Sequence, residues 1–559
     1  MTPRTQSPLP LSAPIALAAT ITLAAPIALA GLIALAALMA HAAPAAAQQQ
    51  AHVPAAGEAL GQVEFATSCA PEVREDFNRA VAMLHSFWYR AAEAAFTDVA
   101  RDNPGCAMAY WGVAMSRFRQ LWERPTPEDV RIGRGALESA AVTGAVSERE
   151  RGYIEALSRV YDDADDADYL SRKLAYEQAM ESLRETYPDD VEVEVFYALS
   201  LLGTAAASPK DETYARQKKA RAMLEGVFEQ YPDHPGVAHY IIHSSDYPAL
   251  ADGGLPAAQR YASIAPDAPH ALHMPSHIFT RLGLWDESIA SNLAAAQAAR
   301  RDGWTGEELH ATDYLAYAYL QEGRDREARA ILDRLPEVRA RLNESDSNYP
   351  AGLYALAAIP ARYAVERRKS AEAAALEVPE GWFPGGPMCW AEATLWFARG
   401  LGAVNTGNLA DARRTVDDLA ACEKRLRAAS LALWANTVDV QGRAVEAWLA
   451  AAGEDHEEAI EGLRAAADLE DGADKPPITP GAVIPVRELL GELLLELGRS
   501  AEALAAFEAA LESSPNRFRS LHGAAVAARA TGEDEKAREY LSRFTELTRR
   551  ADRERPEVR

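Results

Sequence analysis

The sequence predicts an all-α chain built as a solenoid of antiparallel helical hairpins, and three observations carry that prediction. The first is a recurring punctuation: a small residue, a large apolar residue four later, an apolar residue three later, then often proline. Ala92, Phe96, Val99 and Pro104 show it, as do Ala220, Leu224, Val227 and Pro232. Ala257, Tyr261, Ile264 and Pro269 repeat it, and Ala503, Phe507, Ala510 and Pro515 do so again. The second is the interval, because Ala537, Leu541 and Phe544 restate the Ala503 set 34 residues on, with Gly498 and Gly532 marking hairpin turns at the same spacing. Units repeated at such an interval stack and bury their faces against neighbours. The third is composition: of 559 residues 48% are hydrophobic and only 8% aromatic, and alanine is abundant. Small contact residues let antiparallel helices approach closely, so one elongated body is expected rather than several compact domains.

The first residues read as an address rather than fold. Arg4 precedes an apolar run from about Ile15 to Met39, and Ala45, Ala46 and Ala47 before Gln48 have the small-x-small form of a cleavage site. Residues 1–47 are expected to be a signal peptide. The run is also long enough to span a bilayer, so an uncleaved anchor is the alternative. No later stretch is long and apolar enough to cross a membrane. A lead-in segment at 48–70, the solenoid at 71–550 and a fraying tail at 551–559 complete the division. The expected location is periplasmic or secreted.

Four cysteines, none in a C-x-x-C pair, fit an oxidising compartment. Cys389 and Cys422 bracket a hairpin turning near Gly407, at positions that lie roughly opposite each other in antiparallel helices of equal rise. Cys69 and Cys106 begin successive first helices, about one repeat apart. Two disulfides are the expectation, with reduced buried thiols as the alternative. Formal charge is −25, from 82 acids and 57 bases. That surface repels nucleic acid and anionic headgroups, so neither is expected as a main partner.

Helices are expected from about Pro71 to Phe118 and, less regularly, from Pro127 to Leu202. The acidic run from Asp162 to Asp168 alternates carboxylates like a calcium loop but lacks its sixth-position glycine and twelfth-position glutamate, and reads as a solvated loop. The pattern is strong from Ala220 to Leu335. Two breaks follow, Pro379 to Pro387 and the group Pro476, Pro477, Pro480 and Pro485, and both read as kinks or insertions.

Gly491, Gly498, Ala503, Phe507, Ala510 and Pro515 stand where the tetratricopeptide repeat wants small, turn, small, aromatic, small and proline residues. The chain therefore resembles that family over most of residues 70–550. The segments HYIIHSSDYP and APHALHMPSHIF also resemble an exported bacterial subgroup without an established activity. The resemblance implies a superhelical solenoid whose first helices line a concave groove, and it implies a protein or peptide partner rather than a reaction.

Twelve histidines occur, and seven fall between His234 and His310. With the small second-helix residue of each repeat set to position 20, His239, His243 and Asp246 take positions 2, 6 and 9; His270, His273 and His277 take 2, 5 and 9; His310 and Asp313 take 2 and 5. At about 100° per residue these positions face away from the packing positions, so all eight groups should converge on the groove. His85 is expected to face the same way. Three readings compete. One is a metal site, zinc first with copper or iron also suited, in which His239/His243 and His273/His277 share an ion and Asp246 or Asp313 completes the shell. Another is a metal-free ligand groove with apolar contact from Trp111, Tyr240 and Trp285. The last is a set of neutral histidines satisfied by neighbours. Pro275 suits a first helical turn and would leave His270 and His273 in a loop. Gly253 and Gly254 are expected to lengthen the preceding turn.

No phosphate loop, dinucleotide fingerprint or nucleophile elbow occurs. An enzyme here would need a metal-bound water with Asp246 or Asp313 as base. The run Asn516, Arg517, Phe518 and Arg519 could receive a carboxylate or simply pack at a helix start. The sequence thus points to an exported interaction or scaffold protein with a His/Asp-lined groove; the alternative is a metal-binding protein or a metal-dependent, hydrolase-like enzyme.

Overall fold

A computed structural model describes residues 57–558 apart from 123, 144–145, 163, 165–167 and 347. The expected signal peptide or anchor, its cleavage site and part of the acidic loop lie outside the described residues. Among those described the regular structure is helical. The order is α1 Arg74–His85, α2 Tyr89–Asp102, α3 Ala107–Arg117, α4 Pro127–Val142, α5 Glu148–Tyr161, α6 Tyr169–Thr186, α7 Val191–Ala207, α8 Ala215–Gln230 and α9 Pro235–Ser245. There follow α10 Ala251–Ile264, α11 Pro269–His273, α12 Pro275–Leu282, α13 Trp285–Arg301, α14 Thr305–Gln321, α15 Asp325–Arg339, α16 Tyr349–Glu366 and α17 Ser370–Ala374. The last are α18 Trp390–Asn405, α19 Leu409–Ala428, α20 Ala432–Ala452, α21 His456–Asp471, α22 Val486–Glu496, α23 Ser500–Ser513, α24 Phe518–Thr531 and α25 Asp534–Leu547. Nearly every helix packs on the one before it, as stacked hairpins require.

The repeat punctuation has a packing cause. Phe96 is fully buried, and a Cβ built on Gly112 would stand 2.3 Å from its ring. Phe507 is wedged in the same way, 2.8 Å from such an atom on Gly491 and 2.4 Å from one on Gly523. The large residue of one helix therefore dictates a glycine on the helices it packs against. Gly498 and Gly532 turn the last hairpins at φ +72° and +81°, which side chains bearing a Cβ rarely adopt. Where the repeat signal weakens, local start signals set the helices. Thr126 with Asp129 and Ser147 with Glu150 form capping boxes, and Asp168 and Asp190 cap α6 and α7.

Disulfides join Cys69 to Cys106 and Cys389 to Cys422, the latter across the hairpin of α18 and α19. The lead-in residues Leu60 and Phe65 are buried in the first core, so that segment is folded in. Gly253 and Gly254 lie inside α10, not in an enlarged turn; the side chains of Arg221 and Ile278 lie too close to leave room for a Cβ there. Trp111 is fully buried among Phe65, Tyr153 and Phe196, and Trp285 donates to the Asn516 carbonyl at 2.8 Å, so neither lines a groove.

The expectation that each unit touches only its neighbours is corrected by the C-terminal repeats, which fold back on the middle of the chain. Arg517, fully buried, donates to Glu366 at 2.5 Å, to Glu488 at 2.7 and 2.9 Å and to the Tyr317 hydroxyl at 2.6 Å. The basic run at 516–519 is thus an internal ion-pair anchor. In the tail, Arg555 is buried and grips Asp325 and the Glu366 carbonyl.

Two large apolar clusters result, one formed by residues between Leu60 and Phe279 and the other by residues between Leu309 and Phe544. The histidines lie where the first gives way to the second.

Candidate metal centre

Helix α9 begins on Pro235 and ends at Ser245, and its i, i+4 pair His239/His243 puts two imidazoles on one face. Proline splits the next segment without unwinding it. Met274 holds αR geometry between α11 and α12, with Pro275 at the first turn of α12, where its missing N–H costs nothing. His270 and His273 therefore stand on a short helix rather than a loop, and the rings of His273 and His277 are 5.0 Å apart, centroid to centroid. The almost wholly buried α14 supplies His310.

Three groups of potential ligands form among the described residues: His239, His243 and His270; His273, His277 and His310; and His85, Glu192 and His234. Within each, the nearest ligand atoms all lie within 4.8 Å of one another. They differ in which ring nitrogens are left with a lone pair.

In the second group, Asn292 Nδ2 donates to the Ser288 carbonyl at 2.8 Å, which turns its Oδ1 toward His273 Nδ1, 2.7 Å away. His273 Nδ1 must carry a proton to donate there. His277 Nδ1 likewise donates to Asp246 Oδ2 at 2.8 Å. In neutral rings both Nε2 atoms then carry lone pairs. They face each other at 3.1 Å, a repulsive contact unless a cation lies between them. Two nitrogens on one tetrahedral zinc, at bonds of about 2.0–2.1 Å, lie about 3.3 Å apart. His310 completes the trio with its ring centroid 4.4 Å from that of His273, and its Nδ1 is buried without a partner.

The third group is closed on itself. His234 Nδ1 accepts the Val237 N–H at 3.3 Å, so its Nε2 donates to Glu192 Oε1 at 3.0 Å. His85 Nε2 donates to Glu192 Oε2 at 3.0 Å, and its Nδ1 accepts the Tyr240 hydroxyl at 2.9 Å. Every nitrogen is used, so this trio ties α1, α7 and α9 together and has no lone pair to offer.

Electrostatics favour neutral imidazoles. Burial, and then neighbouring histidines, push His239, His243, His270 and His310 well below the ordinary imidazole range. Burial pushes His273 down to about 3, and lowers His277 despite the Asp246 carboxylate. A neutral imidazole is the form that ligates a metal.

The tetratricopeptide-repeat family model matches residues 484–517, the segment holding Gly491, Gly498, Ala503, Phe507 and Pro515. That segment is a tetratricopeptide repeat. Similar solved structures include the human IFIT1 dimer with m7Gppp-AAAA, at 11% identity and a TM-score of 0.38, covering 83% of this chain and 94% of that one. Another is Naa15/Naa10 bound to HypK-THB, at 11% identity and a TM-score of 0.19, covering 85% of this chain and 75% of that one. No curated protein matches.

Tetratricopeptide folds suggest a protein-interaction or scaffold role. Here, however, the expected histidine-lined open groove is filled. His273, His277 and His310 are 2%, 5% and 4% exposed, enclosed by their own helices and by the proline-rich segment after α21. That segment, expected to be a kink or an insertion, returns to the site. Thr479 offers its carbonyl to the Tyr314 hydroxyl at 3.0 Å, and Lys475 reaches Asp246 at 3.4 Å. The single eight-membered cluster is also corrected. Asp313 is drawn to the buried guanidinium of Arg362, which among the described residues pairs with no other carboxylate. Asp246 sits behind His277, where Arg281 and Lys475 hold it well below the usual carboxylate range. Both carboxylates are paired with cations, and neither belongs to the three groups of potential ligands.

Sequence reasoning missed Asn292, Tyr314, Arg281, Lys475 and the His85–Glu192–His234 clasp. Asn292 alone carried a signal, a polar residue on the packing face of α13. The others are brought in by tertiary contacts that no spacing reports.

Proposed function

We propose that this chain is an exported tetratricopeptide-repeat scaffold that holds a transition-metal ion between His273, His277 and His310. Zinc is the first candidate; copper and iron also suit imidazole ligands. One observation carries the reading: two Nε2 lone pairs converge at 3.1 Å because both Nδ1 protons are committed elsewhere. The Asp246 carboxylate and Asn292 amide behind the rings are the kind of outer partners that fix the orientation of metal-binding imidazoles. Three protein ligands leave a fourth coordination position, as in sites that bind water or substrate. The two disulfides support an oxidising compartment and with it the exported reading. A metal-free peptide groove is supported less well, since the imidazoles are too enclosed to line one.

Metal analysis tests the proposal. Protein purified without chelator, or stripped and reloaded with zinc and desalted, should retain zinc, and His273→Ala or His277→Ala should lose the ion of this site. Folded wild-type protein that keeps no zinc, copper or iron after loading would overturn it.

A further inference from the structure

Helix α11 gives His273 to the site above and, one turn earlier, gives His270 to the other open trio. His270 is only 9% exposed, and neither of its ring nitrogens has a hydrogen-bond partner. A polar ring is rarely left so in a folded core unless something binds it. Its neighbours are arranged to the same end. His239 Nδ1 donates to the His85 carbonyl at 2.6 Å, which leaves a lone pair on Nε2 of the neutral ring, and His243 Nε2 stands 3.1 Å from it.

We propose that His239, His243 and His270 hold a second transition-metal ion beside the first, one that exchanges faster with solvent. This rests on the metal reading of the first trio but on separate ligands. The rings of His270 and His273 are 6.4 Å apart, centroid to centroid, so each trio closes around its own ion. The difference in exchange follows from the coverings. His243 is half-buried. The second trio is roofed by Phe87, 4.3 Å from the His239 ring, and by Trp122, which is 37% exposed and 5.3 Å from the His270 ring. The first trio is walled in by Tyr314, whose hydroxyl is pinned to Thr479. Its ion can leave only when that contact opens.

The experiment is a zinc titration of metal-free full chain, followed by release to an excess of chromogenic chelator. Two zinc ions per chain, released in a fast and a slow phase, are expected. His270→Ala should retain one ion and lose the fast phase, whereas His273→Ala should lose the slow phase. One ion per wild-type chain, retained unchanged in His270→Ala, overturns the second site and leaves the first standing. No bound zinc, with no copper or iron bound in parallel titrations, overturns both. Should His270→Ala not fold, a Co2+ titration of wild type decides: a visible absorption band that grows to two equivalents supports the pair, and one that stops at one equivalent overturns it.

Discussion

Replacing Asp246 by Asn separates the charge behind the metal centre from its shape. The carboxylate accepts His277 Nδ1–H at 2.8 Å and Arg281 Nε–H at 2.8 Å, with Lys475 at 3.4 Å. Asn keeps the volume and one acceptor oxygen, but it can no longer hold His277 and Arg281 with two charged oxygens. Loss of such an outer partner weakens metal affinity ten- to a hundredfold, about 1.4–2.7 kcal/mol. The side chains of Arg281 and Lys475 are 13% and 12% exposed, so two largely buried cations would lose their shared counter-charge. That should lower the stability of metal-free protein by about 3 kcal/mol, the lower end for breaking a buried ion pair. The assay is zinc competition against a chelator of known affinity, with urea unfolding in parallel. Lys475→Met is the control, because it disturbs the loop but leaves the carboxylate on His277, and it should leave affinity nearly unchanged. Zinc affinity of Asp246→Asn within twofold of wild type would refute the orienting role of the carboxylate. An equal loss in both variants would instead assign the effect to the loop.

Metal-free protein should lose stability on acidification. A histidine whose folded pKa is lowered binds more protons when unfolded, so its contribution is complete above pH 6.5 and is lost as pH falls below it. For His273, held at about 3, that is about 1 kcal/mol between pH 6.5 and 5.5 and about 1.4 kcal/mol per further unit, and the other five buried rings add to it; urea midpoints at pH 7.5 and 5.5 measure the sum. Serine at both Cys389 and Cys422 opens a crosslink of sequence separation 33, worth about 4 kcal/mol by chain entropy, and should lower the urea midpoint while helical circular dichroism holds. Arg517→Ala strands Glu366 and Glu488 and should cost about 3–5 kcal/mol, with Arg517→Met milder, as urea unfolding would report. Gly112→Ala drives a methyl into the Phe96 ring and should cost about 1–3 kcal/mol, read as a lower melting temperature.

The helical hairpins were legible because their cause is local. Phe507 needs glycine opposite it, and Gly498 needs a left-handed turn, so both leave a mark at fixed spacing. The two trios were half legible. The i, i+4 pairs announce themselves on any helical wheel, but the wheel treats the face opposite the packing face as open. Here that face is covered by residues up to 229 positions away, such as Lys475 on Asp246. Asp313 shows the limit clearly: its position matched the stripe, yet Arg362, on another helix, decides where it points. Proline at 275 misled in the opposite sense, since a break in hydrogen bonding did not break the path of the backbone.

The strap between α21 and α22 sets an order on biosynthesis. Tyr314 waits 165 residues for the Thr479 carbonyl that holds its hydroxyl, and Asp246 waits 229 for Lys475. A nascent chain therefore presents its imidazoles uncovered for most of its emergence, and sealing comes only when synthesis is nearly complete. Any ion taken up early would be trapped at the end, so a product truncated ahead of Lys475 should surrender its metal more readily than the finished protein.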